Sequence, residues 1–491
     1  MTGVASEAMS VLRPSPLPRA LREWHADAPD VTVTGVTHDS RAVRPGDVYA
    51  GLPGSRAHGA EFAAAARAAG AVAMLSDRAS DELPTLVVAD PRKVLGDLAR
   101  WVYGDPSAAM DVIGVTGTNG KTTTAYLLEA GFAAAGRTTG LVGTVETRVA
   151  GERLDSAHTT PEAPDLQALL GVMRERGVTG VGMEVSSHGL ALGRVDGTTF
   201  AAAVFTNLTQ DHLDFHADME SYFKAKASLF TPEKAKVAVV NIDDPAGERI
   251  VERTRLPVVT TSATGARLAD WQAHDVELSR EGAVFRVVAP GVAGTVRLRL
   301  PAAYNVANAL GALAALTSVG IPYDAARAGI EALPGVPGRL ERVDRGQPFL
   351  AVVDYAHSPD AITSVLDSLR PLTDGSVIIV VGCGGDRDAA KRPLMGRAAA
   401  EGADFVVATS DNPRSEDPLA ILDAMVEGIR GVTDARYTVE PDRAAAIKTA
   451  VLLAQPGDIV LIAGKGHEKG QQFADRTVPF DDRVVLAEAL S

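Results

Sequence analysis

The sequence predicts an α/β protein of three domains, each built on a largely parallel sheet. Three observations carry that expectation. Short apolar runs alternate with helical stretches along almost the whole chain, the pattern of parallel strands joined by crossover helices. A length of 491 residues exceeds what one hydrophobic core organises. Polar, glycine-rich segments recur just after the apolar runs, where open α/β sheets bind their ligands.

The segments follow in order. Residues 1–108 hold the strands VTVTGV, DVYAGL, AVAML and TLVVA between alanine-rich helices, punctuated by RPGD and GSRAHG. YGDPSAAM reads as a linker. Residues 109–340 hold VGMEV, AAAVFTNL and KVAVVNI, with a β-rich patch around 274–300, and GVPGR closes the segment. Residues 341–491 run FLAVVDYA, SVIIVVG, FVVATS and DIVLIAG, each followed by a helix.

Composition narrows the function classes. Hydrophobic residues make up 46% and charged residues 22% of the chain, a globular composition without an apolar run long enough for a membrane span. The first residues lack the compact apolar block of a secretory signal. One cysteine, Cys383, excludes a disulfide framework and fits a reducing cytoplasm. A net charge of −14 with no offsetting basic block argues against a nucleic-acid surface.

GVTGTNGKTTTAYLLEAG, residues 114–131, reads as a phosphate loop between a buried strand and a helix. Gly117 and Gly120 let the amides of Thr118, Asn119 and their neighbours turn toward one anion, and the helix N-terminus adds partial positive charge. Lys121 reaches β- and γ-phosphates, Thr122 offers a hydroxyl to Mg²⁺, and Thr123 continues the motif. The first glycine of the usual signature is displaced to Gly114, so this is a variant loop. The loop alone leaves open what the phosphate is for.

MEVSSHGL places Glu184 at a strand end, and TNLTQDHLDFH places Asp211, His212, Asp214 and His216 at another. A carboxylate and an imidazole there suit a Mg²⁺ that already touches ATP phosphates; plain loop-capping by polar side chains is the alternative. Zinc spacings are absent. SYFKAKASLF carries Lys224 and Lys226 on a short amphipathic helix, where solvated surface is the usual fate of lysine. In the last segment Arg387, Arg414 and Lys465 stand at neighbouring strand ends. They suggest a cationic crevice for a carboxylate-bearing ligand, with ordinary polar loops as the alternative.

The order GTNGKTT, HTTPEA, MEVSSH, TNLTQDHLDFH, YNVANAL, GRLE, DYAHSPD, GGDRD, DNPR, GKGHE resembles the Mur ligase family. Within it the chain is similar to the enzymes that add the third residue of the peptidoglycan stem peptide. The resemblance spans HDSR to GKGHE. It implies an N-terminal α/β domain for the UDP end, a central P-loop ATPase-type parallel-sheet domain, and a C-terminal Rossmann-like domain for the amino acid. It also implies an answer about the phosphate. ATP converts the D-glutamate side-chain carboxylate of UDP-N-acetylmuramoyl-L-alanyl-D-glutamate into an acyl phosphate, which the incoming amine attacks. Lys121 and Mg²⁺ offset the charge of the transferred phosphoryl.

Position by position, the resemblance assigns Lys121 and Thr122 to phosphate and metal, Glu184 and His212 to the metal, and Asn305 and Asn308 to the adenine side. Arg339 and Asp354 reach the nucleotide from the domain junction and the third domain. Lys226 matches a carbamylated lysine that serves as an anionic metal ligand. Ser40, Ser55, Arg56, Ala57, Thr159, Thr160, Ser186 and Arg194 match contacts of the UDP-muramoyl dipeptide. Leu192 stands where some relatives carry a contact glutamine, and His38 and His158 occupy positions where the family varies. Sister ligases share the ATP machinery, but DNPR with GKGHE favours the third-residue enzymes. The amino acid expected is meso-diaminopimelate rather than lysine. Arg414 of DNPR holds the distal carboxylate, with Asp411, Asn412 and Pro413 shaping the loop; Arg387 takes the other carboxylate, and Gly464 with Glu468 receives the distal ammonium. A monomer is expected.

Overall fold

The computed structural model describes residues 12–154, 159–265 and 267–491; His158 lies outside them. Three main sheets organise three domains. The first has four parallel strands, Gly35–Thr37, Asp47–Gly51, Ala73–Ser76 and Thr85–Val87, paired in chain order. The helix Pro91–Val102 packs on them. Asp90 caps it by accepting from Lys93 N, Pro91 fits its first turn, and Leu95, Leu98 and Val102 are buried.

The central sheet has eleven strands. Its middle is parallel: Thr139–Val142, Gly180–Glu184, Asp111–Thr116, Ala202–Phe205, Ala238–Asn241 and Val258–Ser262 lie side by side in that order. These strands read as apolar runs because both faces are covered. Along Asp111–Thr116, Val112 joins one core while Ile113 and Val115 join the other. Gly114 sits inside this strand, so the displaced glycine of the phosphate motif belongs to the sheet rather than to the loop.

Antiparallel strands finish both edges, although Trp271–Leu278 itself joins Val258–Ser262 in parallel. On one side lies the hairpin Thr147–Val149/Glu152–Leu154, absent from the sequence reading. On the other, the expected β-rich patch is the meander Trp271–Leu278, Ala283–Ala289 and Val292–Leu298. The helix Ala303–Ser318 is apolar on nearly every side and is buried accordingly.

In the third domain the parallel strands Leu350–Asp354, Ile459–Ala463, Val377–Val381, Phe405–Ala408 and Tyr437–Val439 lie in that spatial order, and Glu341–Arg342 pairs antiparallel at the edge. Their carboxyl ends face the central domain's phosphate loop across a cleft. Among the described residues no helix is long and apolar enough to cross a membrane.

Candidate active site

The loop after Asp111–Thr116 is held so closely that glycine is required at two positions. A Cβ on Gly117 would lie 1.8 Å from Thr206 Oγ1, and one on Gly120, where φ is +86°, would lie 2.3 Å from Asn308 Oδ1. Asn119 N donates to Asn207 Oδ1 at 2.8 Å, and Thr206 Oγ1 donates to Asn119 O at 2.6 Å. The Thr118 hydroxyl donates to Thr209 O at 3.1 Å. The helix Lys121–Ala134 starts directly from this turn, with Thr122 and Thr123 buried in its first turn.

Two lysines converge on one carbonyl. Lys121 Nζ donates to Gly117 O at 2.8 Å and Thr118 O at 2.7 Å, and Lys226 Nζ donates to Gly117 O at 2.7 Å. Lys226, on the helix Met219–Ala227, is 1% exposed, while Lys224 on the same helix is exposed. The solvated-surface expectation therefore holds for Lys224 and fails for Lys226. Burial, and then the Lys121 charge, keep the Lys226 amine well below the ordinary lysine range. Lys121 is lowered by burial against the pull of Glu184 and Asp211.

Glu184 ends the strand Gly180–Glu184 and is 1% exposed. Its Oε2 accepts from Thr122 Oγ1 at 3.0 Å and Thr144 Oγ1 at 3.1 Å, and its Oε1 accepts from Thr144 N at 2.7 Å. Thr144 went unnoticed in the sequence, although it follows the apolar strand Thr139–Val142 as the other site residues follow theirs. His212 has φ +55° and meets His188 edge-on at 4.8 Å. Burial brings its imidazole down to about 4 against Asp211, with Lys121, His188 and Lys226 adding to the fall. His216 hydrogen-bonds Ser187 Oγ through Nε2 at 3.0 Å and packs on Tyr222, which is a packing role. Burial pushes the Asp211 carboxyl up, but His212, His357 and the Lys391 ammonium of the third domain outweigh it and leave it below the usual range.

The domain junction and the third domain supply the opposite wall. Arg339 donates to Thr122 Oγ1 at 3.0 Å and lies over the Tyr355 ring at 4.5 Å. Asp354 accepts from Leu340 N at 2.7 Å and Ala356 N at 2.8 Å; burial raises its pKa, opposed by Arg339. Asn305 donates to Pro301 O at 2.6 Å and accepts from Asn308 Nδ2 at 3.1 Å.

Nearby, Thr159 Oγ1 lies 2.9 Å from Thr144 Oγ1, and Thr160 Oγ1 donates to Glu184 O at 3.1 Å. Ser186 caps the short helix Ser187–Ala191 by accepting from Gly189 N, so loop-capping is what its hydroxyl does here. Thr159, Thr160, Ser186, Arg194, Asn305, Asn308, Arg339, Asp354 and Arg387 all line one cleft of about 810 Å³ with Lys121, Glu184, His212 and Lys226. Ser40 and the exposed Ser55, Arg56 and Ala57 stand on the first domain, apart from this lining.

Asp411, Asn412, Pro413, Arg414, Gly464 and Glu468 gather instead at the strand ends of the third sheet. Lys465 corrects the expected cationic crevice. It is fully buried and donates to Asn412 Oδ1 at 2.9 Å and Glu468 Oε2 at 3.0 Å, so its charge is already matched within the protein. Asn412 Nδ2 donates to the same Glu468 Oε2 at 2.8 Å, leaving Oε1 outside the described bonds. Arg414 donates to Gly385 O at 2.6 Å. Glu416 is held at 2.8 and 2.9 Å by Arg392, and Arg414 forms no ion pair within 4 Å among the described residues, although its charge helps to lower the Asp386 carboxyl.

Comparison of the whole chain with known families resolves what the motifs leave to resemblance. Three family models match in succession: "Mur ligase family, catalytic domain" over residues 32–103, "Mur ligase middle domain" over 115–316, and "Mur ligase, glutamate ligase domain" over 338–466. A UDP-N-acetylmuramoyl-L-alanyl-D-glutamate–2,6-diaminopimelate ligase of Streptomyces avermitilis is 57% identical over 471 residues, covering 94% of this chain and 93% of that protein. The chain belongs to the Mur ligase family. The Streptomyces coelicolor Mur ligase of the same name is 54% identical over 488 residues, covering 97% of this chain and 96% of its own. A solved structure of a Mur ligase so named superposes with a TM-score of 0.70 at 35% identity, covering 96% of this chain and 99% of that one.

The donor set of this Mur ligase can be tested against the magnesium that the resemblance implies. Thr122 offers a hydroxyl, Glu184 a carboxylate and His212 a neutral imidazole, all on one cleft, which fits a hard divalent cation. Lys226, which donates to Gly117 O, has no lone pair to offer a cation as an ammonium and would join the donor set only as a carbamate.

Proposed function

We propose that this protein joins meso-diaminopimelate to UDP-N-acetylmuramoyl-L-alanyl-D-glutamate at the cost of ATP, in cytoplasmic peptidoglycan precursor synthesis. The carrying observation is the single cleft on which Lys121, Glu184, His212, Thr159, Thr160 and Arg194 of the central domain meet Arg339 of the domain junction and Asp354 of the third domain. The D-glutamate carboxylate attacks the γ-phosphorus and the bond to ADP breaks. The amine then attacks the acyl carbon, loses a proton, and phosphate leaves. Lys121 exchanges the loop carbonyls it now holds for the β- and γ-phosphates, and Arg339 brings a second cation from the far wall. Asn305 and Asn308 stand toward the adenine. Holding the two reactants on facing strand ends of the central and third domains supplies much of the rate.

Magnesium, held by Thr122, Glu184, His212 and carbamylated Lys226, would offset phosphate charge. The carbamate forms when the Lys226 amine attacks CO₂, with a C–N bond made and a proton lost; a buried amine held neutral is the reactive form. In the third domain Arg414 takes the carboxylate that meso-diaminopimelate has and lysine lacks, because Glu416 is already committed to Arg392. Arg387 lies nearby for the other carboxylate, and Glu468 Oε1 for the distal ammonium.

The test is a competition. Protein, ATP and UDP-muramoyl dipeptide are given meso-diaminopimelate and L-lysine at equal concentration, and the products are weighed by mass spectrometry. Diaminopimelate is expected to dominate by about a hundredfold, the order of discrimination a site built to pair a charged group shows against the analogue that lacks it. Preferential lysine incorporation, or unchanged selectivity in Arg414→Ala, overturns the assignment.

A further inference from the structure

Arg194 faces the muramoyl-peptide side of the cleft, and its orientation is set by a residue that nothing above gives a role. Glu162 stands at the start of the helix Ala163–Glu175, yet its side chain does not cap that helix. Its Oε1 lies 2.8 Å from Arg194 Nε, and its Oε2 lies 3.2 Å from Arg92 NH1. Arg194 NH1 donates to Thr160 O at 3.2 Å. NH1 is hydrogen-bonded by protein, while Nε is buried in ion-pair reach of Glu162 without an aligned hydrogen bond, so Glu162 holds the guanidinium by charge and leaves NH2 for the cleft that Arg194 lines. Arg92 comes from the first domain and also donates to Leu192 O at 3.3 Å, on the segment leading to Arg194. The same helix meets that segment backbone to backbone: a Cβ on Gly96 would lie 2.3 Å from Asp196 O.

From this geometry we infer that Glu162 is a positioning residue, aiming Arg194 at an anionic group of the muramoyl-peptide nucleotide while Arg92 of the first domain holds Glu162 in place. The inference rests on the functional reading above. An arginine without this partner samples many rotamers, and only a fraction of them present NH2 to the ligand. The bland role for an acidic residue at a helix start is favourable interaction with the helix dipole. That role changes stability and leaves substrate affinity alone.

Steady-state kinetics separate the two. Glu162→Ala should raise KM for UDP-muramoyl dipeptide about tenfold, with kcat and the KM for ATP within about twofold of the parent. Glu162→Gln, which keeps an acceptor of the same shape, should fall between. Arg92→Gln should raise the same KM by a smaller factor. In an Arg194→Ala background, Glu162→Ala should add nothing further. A parental KM for the dipeptide in Glu162→Ala, or an undiminished additional rise in the Arg194→Ala background, overturns the inference. If Glu162→Ala does not fold, Glu162→Gln and Arg92→Gln decide by the same KM. A parent protein that neither binds nor converts the dipeptide fails in a different way: it removes the functional reading, and the inference with it.

Discussion

Lys226 is the residue on which one buried nitrogen decides most. At 1% exposure beside a second lysine it is costly as an ammonium, a charge that the proposed carbamate would remove. Lys226→Ala should lose most activity and recover part of it with added short carboxylic acids, whereas Lys224→Ala, at an exposed position, should be mild. Equal losses from the two, measured as ADP release, would refute the assignment. Glu468 bears on acid stability. Burial pushes its carboxyl up, but Lys465, Asn412 and His467 outweigh that and hold it below its ordinary 4.5. A lowered folded-state pKa contributes stability that is fully present above the unfolded value and lost as pH falls through the folded one. Wild type should therefore lose more thermal stability than Glu468→Gln when pH drops below about 4.5, as melting curves across that window would register.

Among the elements, the helices Arg443–Leu453 and Asp482–Ala489 are joined through their first residues by a fully buried ion pair. Arg443 donates to both oxygens of Asp482 at 2.7 Å and to Ala463 O at 2.9 Å, one residue before Gly464. Arg443→Met leaves Asp482 buried and unpaired, which should cost about 3–5 kcal/mol in urea unfolding, while Arg443→Met with Asp482→Leu should recover much of it. Sequence reading reaches some elements and not others for physical reasons. The central parallel strands are buried on both faces and so show as apolar runs. The hairpin Thr147–Val149/Glu152–Leu154 is short and charged, and Arg148 finds Glu129 only through the fold. The burial of Lys226 is likewise invisible in its own helix, because the carbonyl that receives it lies 109 residues away. Glu184 and His212 were legible as strand-end polar residues. Thr144 was equally placed but stands in no motif that drew notice.

Across the whole molecule, Arg339 at the domain junction touches the phosphate loop at Thr122, and Lys391 of the third domain pairs with Asp211 of the central domain. These two contacts span the cleft that ATP and the dipeptide must enter, so turnover is expected to part and re-form them. Small-angle scattering should show the ligand-free protein more extended, and compaction when an ATP analogue and the muramoyl dipeptide are both present; an unchanged radius of gyration would rule this out. Lys391→Ala, which removes one strut between the domains, should shift the ligand-free profile further toward the extended form.

The antiparallel additions that finish both edges of the eleven-stranded sheet bear on something other than catalysis. A long sheet ending in a flat, open strand offers its unpaired amides and carbonyls to any neighbouring chain. Here one outermost strand is the three residues Glu152–Leu154, two of them charged, and on the other Arg297 N is already taken by Glu331 Oε1 at 3.0 Å. The first border is therefore poorly shaped to recruit a second copy, and the short, charged strand that hid from sequence reading keeps that side of a very wide sheet from growing into an aggregate.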